Sequence, residues 1–178
     1  MPDRPPQDSL ALLRQALAHH QASRLPEAES LYRQVLDHEP DHPEALRLMG
    51  VLARQRGQLN AARSFLERGT KVKPESPRAH YELALVLMEL KEMEHAIAEL
   101  GRAVELQPRF PEAYSALGNA CAACWYLDKA RVSYQTAISQ NAGMTGVQKC
   151  LEFVEKQQRD VSSGTCRPQR APLHQIPC

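Results

Sequence analysis

Residues 38–42 read HEPDH, two histidines four apart with a glutamate beside the first. On a helix this spacing puts both imidazoles on one face, where they can share a zinc ion while the glutamate serves as general base. Pro40 stands between the histidines and Pro43 follows the second. A proline inside a helix removes a backbone donor and strikes the preceding turn, at a cost of about 3 kcal/mol. No continuous helix is expected, and the zinc reading loses its geometric basis. Cys121 and Cys124, in CAACWYLDKA, have the C-x-x-C spacing of a thiol–disulfide redox site. That chemistry needs the first cysteine at an exposed helix N-terminus, whereas both fall near the C-terminal end of an expected helix, where the dipole disfavours a thiolate. With no second such pair nearby, zinc would have too few ligands. The neighbours His19 and His20 point to different faces. No nucleophile and base pair, phosphate loop or metal constellation stands out, so the chain reads as non-catalytic, with no metal and no cofactor.

The elements that carry these residues follow from composition. At 178 residues the chain is long enough for one domain or a short repeat array with a real core. Lys and Arg total 22 against 21 for Asp and Glu, so nothing draws the whole molecule to nucleic acid or an anionic membrane. Aromatic residues are few and strong helix formers dominate, which points to an all-α protein. The N-terminus lacks the apolar run of a secretory signal, and no stretch approaches transmembrane length. Cys121, Cys124, Cys150, Cys166 and Cys178 crowd into the last third, unlike a disulfide framework. A cytoplasmic location is the corresponding expectation. The ending HQIPC is not a prenylation box, because its cysteine is last.

Sliding the sequence by 34 residues aligns Ala28, Ala62, Ala96 and Ala130 in one column and Pro40, Pro74 and Pro108 in another. Ala16, Gly50, Ala84 and Gly118 form a small column; Tyr32, Leu66, Leu100 and Tyr134 form a large apolar one. Each unit therefore reads as two amphipathic helices that approach closely at the small residues. The units span 9–42, 43–76, 77–110 and 111–144. HEPDH is then the end of one helix and the turn into the next pair, with Pro40 stopping the first and Pro43 opening the second. His19 shares a packing column with Ala53, Leu87 and Cys121; a buried, satisfied histidine and a small apolar filler are expected there. Trp125 falls at the turn within the fourth pair, either draped over a neighbouring helix or exposed as an interface anchor. A final helix at 145–158, opened by a Thr145 and Gln148 capping box, would shield the last repeat. Residues 1–8 and 159–178, rich in Pro, Ser and Arg, are expected to be disordered.

YSALGNA at 114–120, EAESLYRQVLDHEP at 27–40 and HAIAELGRAVELQP at 95–108 closely resemble the tetratricopeptide repeat family, and the resemblance covers about three quarters of the chain. It implies a right-handed superhelical α-solenoid of antiparallel helix pairs, whose concave face is lined by the first helix of each repeat and holds a peptide segment. By the same resemblance the groove columns hold Leu10, Leu13 and Leu17; Glu44, Arg47, Val51 and Arg54; Arg78, Tyr81, Leu85 and Met88; and Glu112, Ser115 and Asn119. Apolar positions beside Arg47, Arg54 and Arg78 suit a protein segment with apolar anchors and some acidic groups. The leucines of the first repeat have a second reading, packing onto repeat two or onto a self-associated copy. The carboxylate clamp of chaperone-tail-binding members is absent, since its places hold residues such as Leu13, Leu48, Glu82 and Ala116. The asparagine ladder of arrays attached to O-linked N-acetylglucosamine transferases is absent too, its column reading Arg14, Leu48, Glu82 and Ala116. The resemblance implies a protein-binding adaptor. The alternative is the recognition array of a larger glycosyltransferase, sulfotransferase or hydroxylase, truncated before its catalytic domain.

Overall fold

A computed structural model of the chain describes residues 9–163, which form nine α-helices and, among the described residues, no strand. In order they are α1 (Ser9–Gln21), α2 (Leu25–His38), α3 (Pro43–Gln55), α4 (Leu59–Val72), α5 (Pro77–Glu89), α6 (Met93–Leu106), α7 (Pro111–Ala123), α8 (Leu127–Gln140) and α9 (Thr145–Ser162). Pro43, Pro77 and Pro111 open α3, α5 and α7, each at the first helical position, where a missing N–H costs nothing. The chain divides into two compact units, Met1–Glu82 and Leu83–Cys178.

The turn inside each helix pair is built the same way. Ser23, Gly57, Lys91 and Trp125 all adopt positive φ, between 58° and 71°. In each case the following N–H reaches back to the carbonyl five residues earlier: Arg24 to His19 and Gln58 to Ala53 at 2.9 Å, Glu92 to Leu87 and Tyr126 to Cys121 at 2.8 Å. This is the Schellman closure of a helix end, which satisfies carbonyls that would otherwise be orphaned. Trp125 thus has a backbone task before any side-chain one, and its indole is half-buried.

Close approach within pairs explains the small columns. In the first unit α1 packs on α2, α2 on α3 and α3 on α4; a Cβ added to Gly50 would strike the Leu66 side chain. In the second unit α6 packs on α7, α7 on α8, and α9 on both α7 and α8, and a Cβ on Gly118 would strike the Tyr134 ring. Ala28, Ala62, Ala96 and Ala130 are wholly buried. The core of the first unit gathers Leu12, Ala16, Tyr32, Val35 and Leu52, and that of the second gathers Cys121, Tyr134, Val147, Cys150 and Val154.

Four details depart from the sequence expectations. His19 is only half-buried, and its Nδ1 is enclosed without a hydrogen-bond partner, so it is not a satisfied core histidine. The capping box does not form: Met144 is the N-cap residue, Thr145 already lies inside α9, and the Gln148 amide donates to the Ala142 carbonyl at 3.4 Å. The last helix runs to Ser162, past position 158; the rest of the expected disordered tail, 164–178, and residues 1–8 lie outside the described residues. Finally, Cys150 is disulfide-bonded, so the cysteines are not uniformly reduced thiols.

Candidate binding face of the first helices

The two sequence motifs that promised chemistry resolve into structure. In HEPDH, His38 ends α2, Pro40 and Asp41 form the turn, and His42 caps α3 by accepting from the Ala45 N–H at 3.3 Å. The histidines belong to different elements, and Asp41 pairs with Arg68 at 2.8 Å. Among the described residues no cluster of three or more His, Cys, Asp or Glu side chains is placed to hold a metal. Cys121 is 1 % exposed, and burial pushes its thiol up to about 11, with Lys129 opposing the shift. Burial thus makes this thiol less available as a thiolate, and its side chain fills the core of the second unit.

In the first unit the groove positions form a charged face. Arg47 is 9 % exposed and grips Glu44 with two bonds, Nε to Oε2 at 3.0 Å and a terminal nitrogen to Oε1 at 2.6 Å. Burial alone would lower the Arg47 pKa, but the hydrogen bond and charge of Glu44, aided by Glu82 and Tyr32, raise it on balance. Half-buried Arg54 stands 3.9 Å from Glu82, whose Oε2 is enclosed without a hydrogen bond. Burial raises the Glu82 pKa, and Arg54, Arg47 and Arg78 pull against it in that order. The structure therefore brings the three predicted arginines around one carboxylate that the sequence did not single out as a site residue. A signal for Glu82 existed, since it lies four residues after Arg78 in the same helix.

The remaining positions divide by burial. Leu13 sits in the core of the first unit, while Leu10 and Leu17 are exposed. Val51 and Tyr81 are half-buried and Arg78 is exposed. In the second unit Leu85 and Met88 are half-buried, and the Asn119 side-chain oxygen accepts from the Tyr134 hydroxyl at 2.8 Å. That bond ties Asn119 to its own helix pair. Among the described residues no helix is long and apolar enough to cross a membrane.

A sequence profile of the tetratricopeptide repeat matches residues 19–80 and again 53–121, together more than half of the chain. No curated protein matches. Among solved structures, MamA 41-end from Desulfovibrio magneticus RS-1 superposes with a TM-score of 0.78 at 23% identity, covering 90% of this chain and 92% of that one. YrrB, a TPR protein with an unusual peptide-binding site, gives 0.75 at 21% identity over 86% of this chain and 79% of its own. Another MamA crystal structure gives 0.76 at 23% identity over 84% of this chain and 88% of that one. These likenesses establish the all-α, solenoid type of fold.

Proposed function

Because the chain belongs to the tetratricopeptide repeat family, we propose that it is a non-catalytic adaptor whose first-helix face holds a segment of another protein. The observation that carries this reading is the convergence of Arg47, Arg54 and Arg78 on Glu82 in the first unit, beside exposed Leu17 and half-buried Val51 and Tyr81. Apolar side chains with cationic neighbours match an amphipathic peptide bearing acidic groups. A peptide-binding site on a neighbour of the same fold, YrrB, supports a ligand of that class.

Internal pairing refines which arginine does what. Arg47 is committed to Glu44 and shares Arg54's task of compensating Glu82. Arg78 is the exposed member and the one best placed to meet an incoming carboxylate first. Since Arg47 is buried, its removal would disturb packing as well as binding. The test therefore leaves it in place. The whole chain and an Arg54→Gln/Arg78→Gln variant are used as baits, bound proteins are identified by mass spectrometry, and the affinity of the retained partner's segment is measured by calorimetry. A partner bound at least about tenfold more weakly by the variant supports the reading. Equal affinity for both baits removes this face from the account.

A further inference from the structure

The second unit carries a groove of about 490 Å³ on the side of its second helices, α6 and α8. Ile97 and Gly101 of α6 line it on one side and Val132 of α8 on the other, with Leu117 of α7 between them. It is apolar and open: Val132 is 54 % exposed, and a Cβ built on Gly101 would meet nothing within 4 Å. Two repeats earlier, the columns of Ile97 and Gly101 hold Glu29 and Arg33, which pair at 2.5 Å while Arg56 also bonds Glu29. Charged side chains thus cover in the first unit what the second leaves bare.

The two walls of the groove complement each other. On α6, Glu94, Ile97 and Gly101 recur at i, i+3 and i+7, so an exposed acid, an aliphatic side chain and a gap follow one another along a stripe. On α8, Lys129 and Val132 at i and i+3 set an exposed base and an exposed aliphatic knob along the facing stripe. Lys129 also stands 5.7 Å over the ring of Tyr126, itself 47 % exposed, whereas Asp128 is bonded to the Gln158 amide of α9 at 2.8 Å. Both helices pack on α7 through short connections and are antiparallel to it, so they run in the same sense.

A two-fold axis along the groove would therefore lay α8 of each copy on α6 of the other without reversing its direction. Lys129 then meets Glu94 and Val132 enters the gap at Gly101, and each contact is made twice. Knob and gap lie on opposite walls of one chain, and a second copy supplies each with its complement. We propose that the α6–α8 face is a homodimer interface, occupied by the same face of a second copy of this chain. Helices of 14 residues are about 21 Å long and about 10 Å across. Two of them side by side offer roughly 400 Å² per copy, about half of the standard 800 Å² or so. A weak, reversible dimer is expected, and it uses no residue of the first-helix face.

The test is sedimentation velocity of the full chain from about 5 to 500 µM, a range that brackets weak association, beside variants on this face. A weight-average mass that rises with concentration toward that of two chains is the expected result, and a monomer throughout overturns the proposal. Gly101→Arg fills the gap from a position with room for a side chain and replaces glycine by a better helix former. The fold is thereby kept, while dimerisation should weaken at least about tenfold. Lys129→Glu and Glu94→Lys should each weaken it several-fold, and the two combined should restore it to within about threefold of the parent. Charge reversals without effect, or a double variant that associates no better than the single ones, would place the contact elsewhere. A dimer that Gly101→Arg leaves intact is held by another surface or by a disulfide. Each of these results overturns the proposal as well.

Discussion

The two units share one helix-pair frame but spend their polar residues differently. In the first, charge lines the first-helix face through Arg47, Arg54, Arg78 and Glu82, and also covers the second-helix face through Glu29, Arg33 and Arg56. In the second, the first-helix positions hold Leu85, Met88, Ser115 and Asn119, and the second-helix face opens into the groove beside Ile97 and Gly101. The columns that fix the frame, small residues against large ones, are common to both. The packing columns and the surface columns therefore occupy separate positions of the repeat, and the second can change without disturbing the first.

Packing offers the largest expected effect. Gly118→Ala would drive a methyl group into Tyr134, whose ring is wholly buried and whose hydroxyl is bonded to Asn119. Gly50→Ala meets the more adaptable Leu66. Both should lower stability within the roughly 1–3 kcal/mol range of overpacking, with the larger loss at Gly118; equal urea midpoints for the two variants would show that the units pack alike. Next come the turns. Lys91→Gly should raise stability by about 1 kcal/mol by relieving a left-handed backbone. Trp125→Gly should gain less because it gives up a half-buried indole, and an equal gain would mean that the indole contributes no packing.

Of similar size is the effect of making the first unit resemble the second. Glu29→Ile with Arg33→Gly removes an ion pair whose arginine is 66% exposed, strips Arg56 of its Glu29 partner and sets a glycine inside α2, so stability should fall by about 1 kcal/mol. A solvatochromic dye should nevertheless gain a new apolar site, and unchanged dye binding would separate the groove from these two columns. The subtlest effect is on pH dependence. The folded-state pKa of Glu82 is raised above its ordinary 4.5, so the native state holds that proton more tightly than the unfolded chain. Stability is thereby favoured below pH 4.5 and lost as pH rises through the folded pKa. Glu82→Gln should lack that loss in denaturant titrations, and parallel pH profiles for variant and parent would locate Glu82 in a more solvated setting.

Helix placement was largely legible in the sequence, because the 34-residue columns combine prolines that start helices with small residues that admit close packing. HEPDH could be dismissed as a zinc site for the same local reason, and His42 does cap α3. The site was legible only in part. Arg47, Arg54 and Arg78 could be placed in register, but which carboxylate they share depends on side-chain reach between helices. Leu13 fits a groove column and nonetheless turns into the core of the first unit, an orientation that column position alone does not fix. The groove beside Gly101 has no motif at all. It arises from what is missing at two positions on α6 and becomes visible only when three helices are assembled.

Trp125 is the sole tryptophan of the chain, and it occupies a turn of the second unit. Its fluorescence is consequently a local thermometer for that half, while circular dichroism averages over all the helices. If the two signals melt together, the fold behaves as one cooperative body; if the indole reports early or late, the gap measures how weakly one half informs the other. A single strained turn thus provides a built-in gauge of cooperativity without any engineered label.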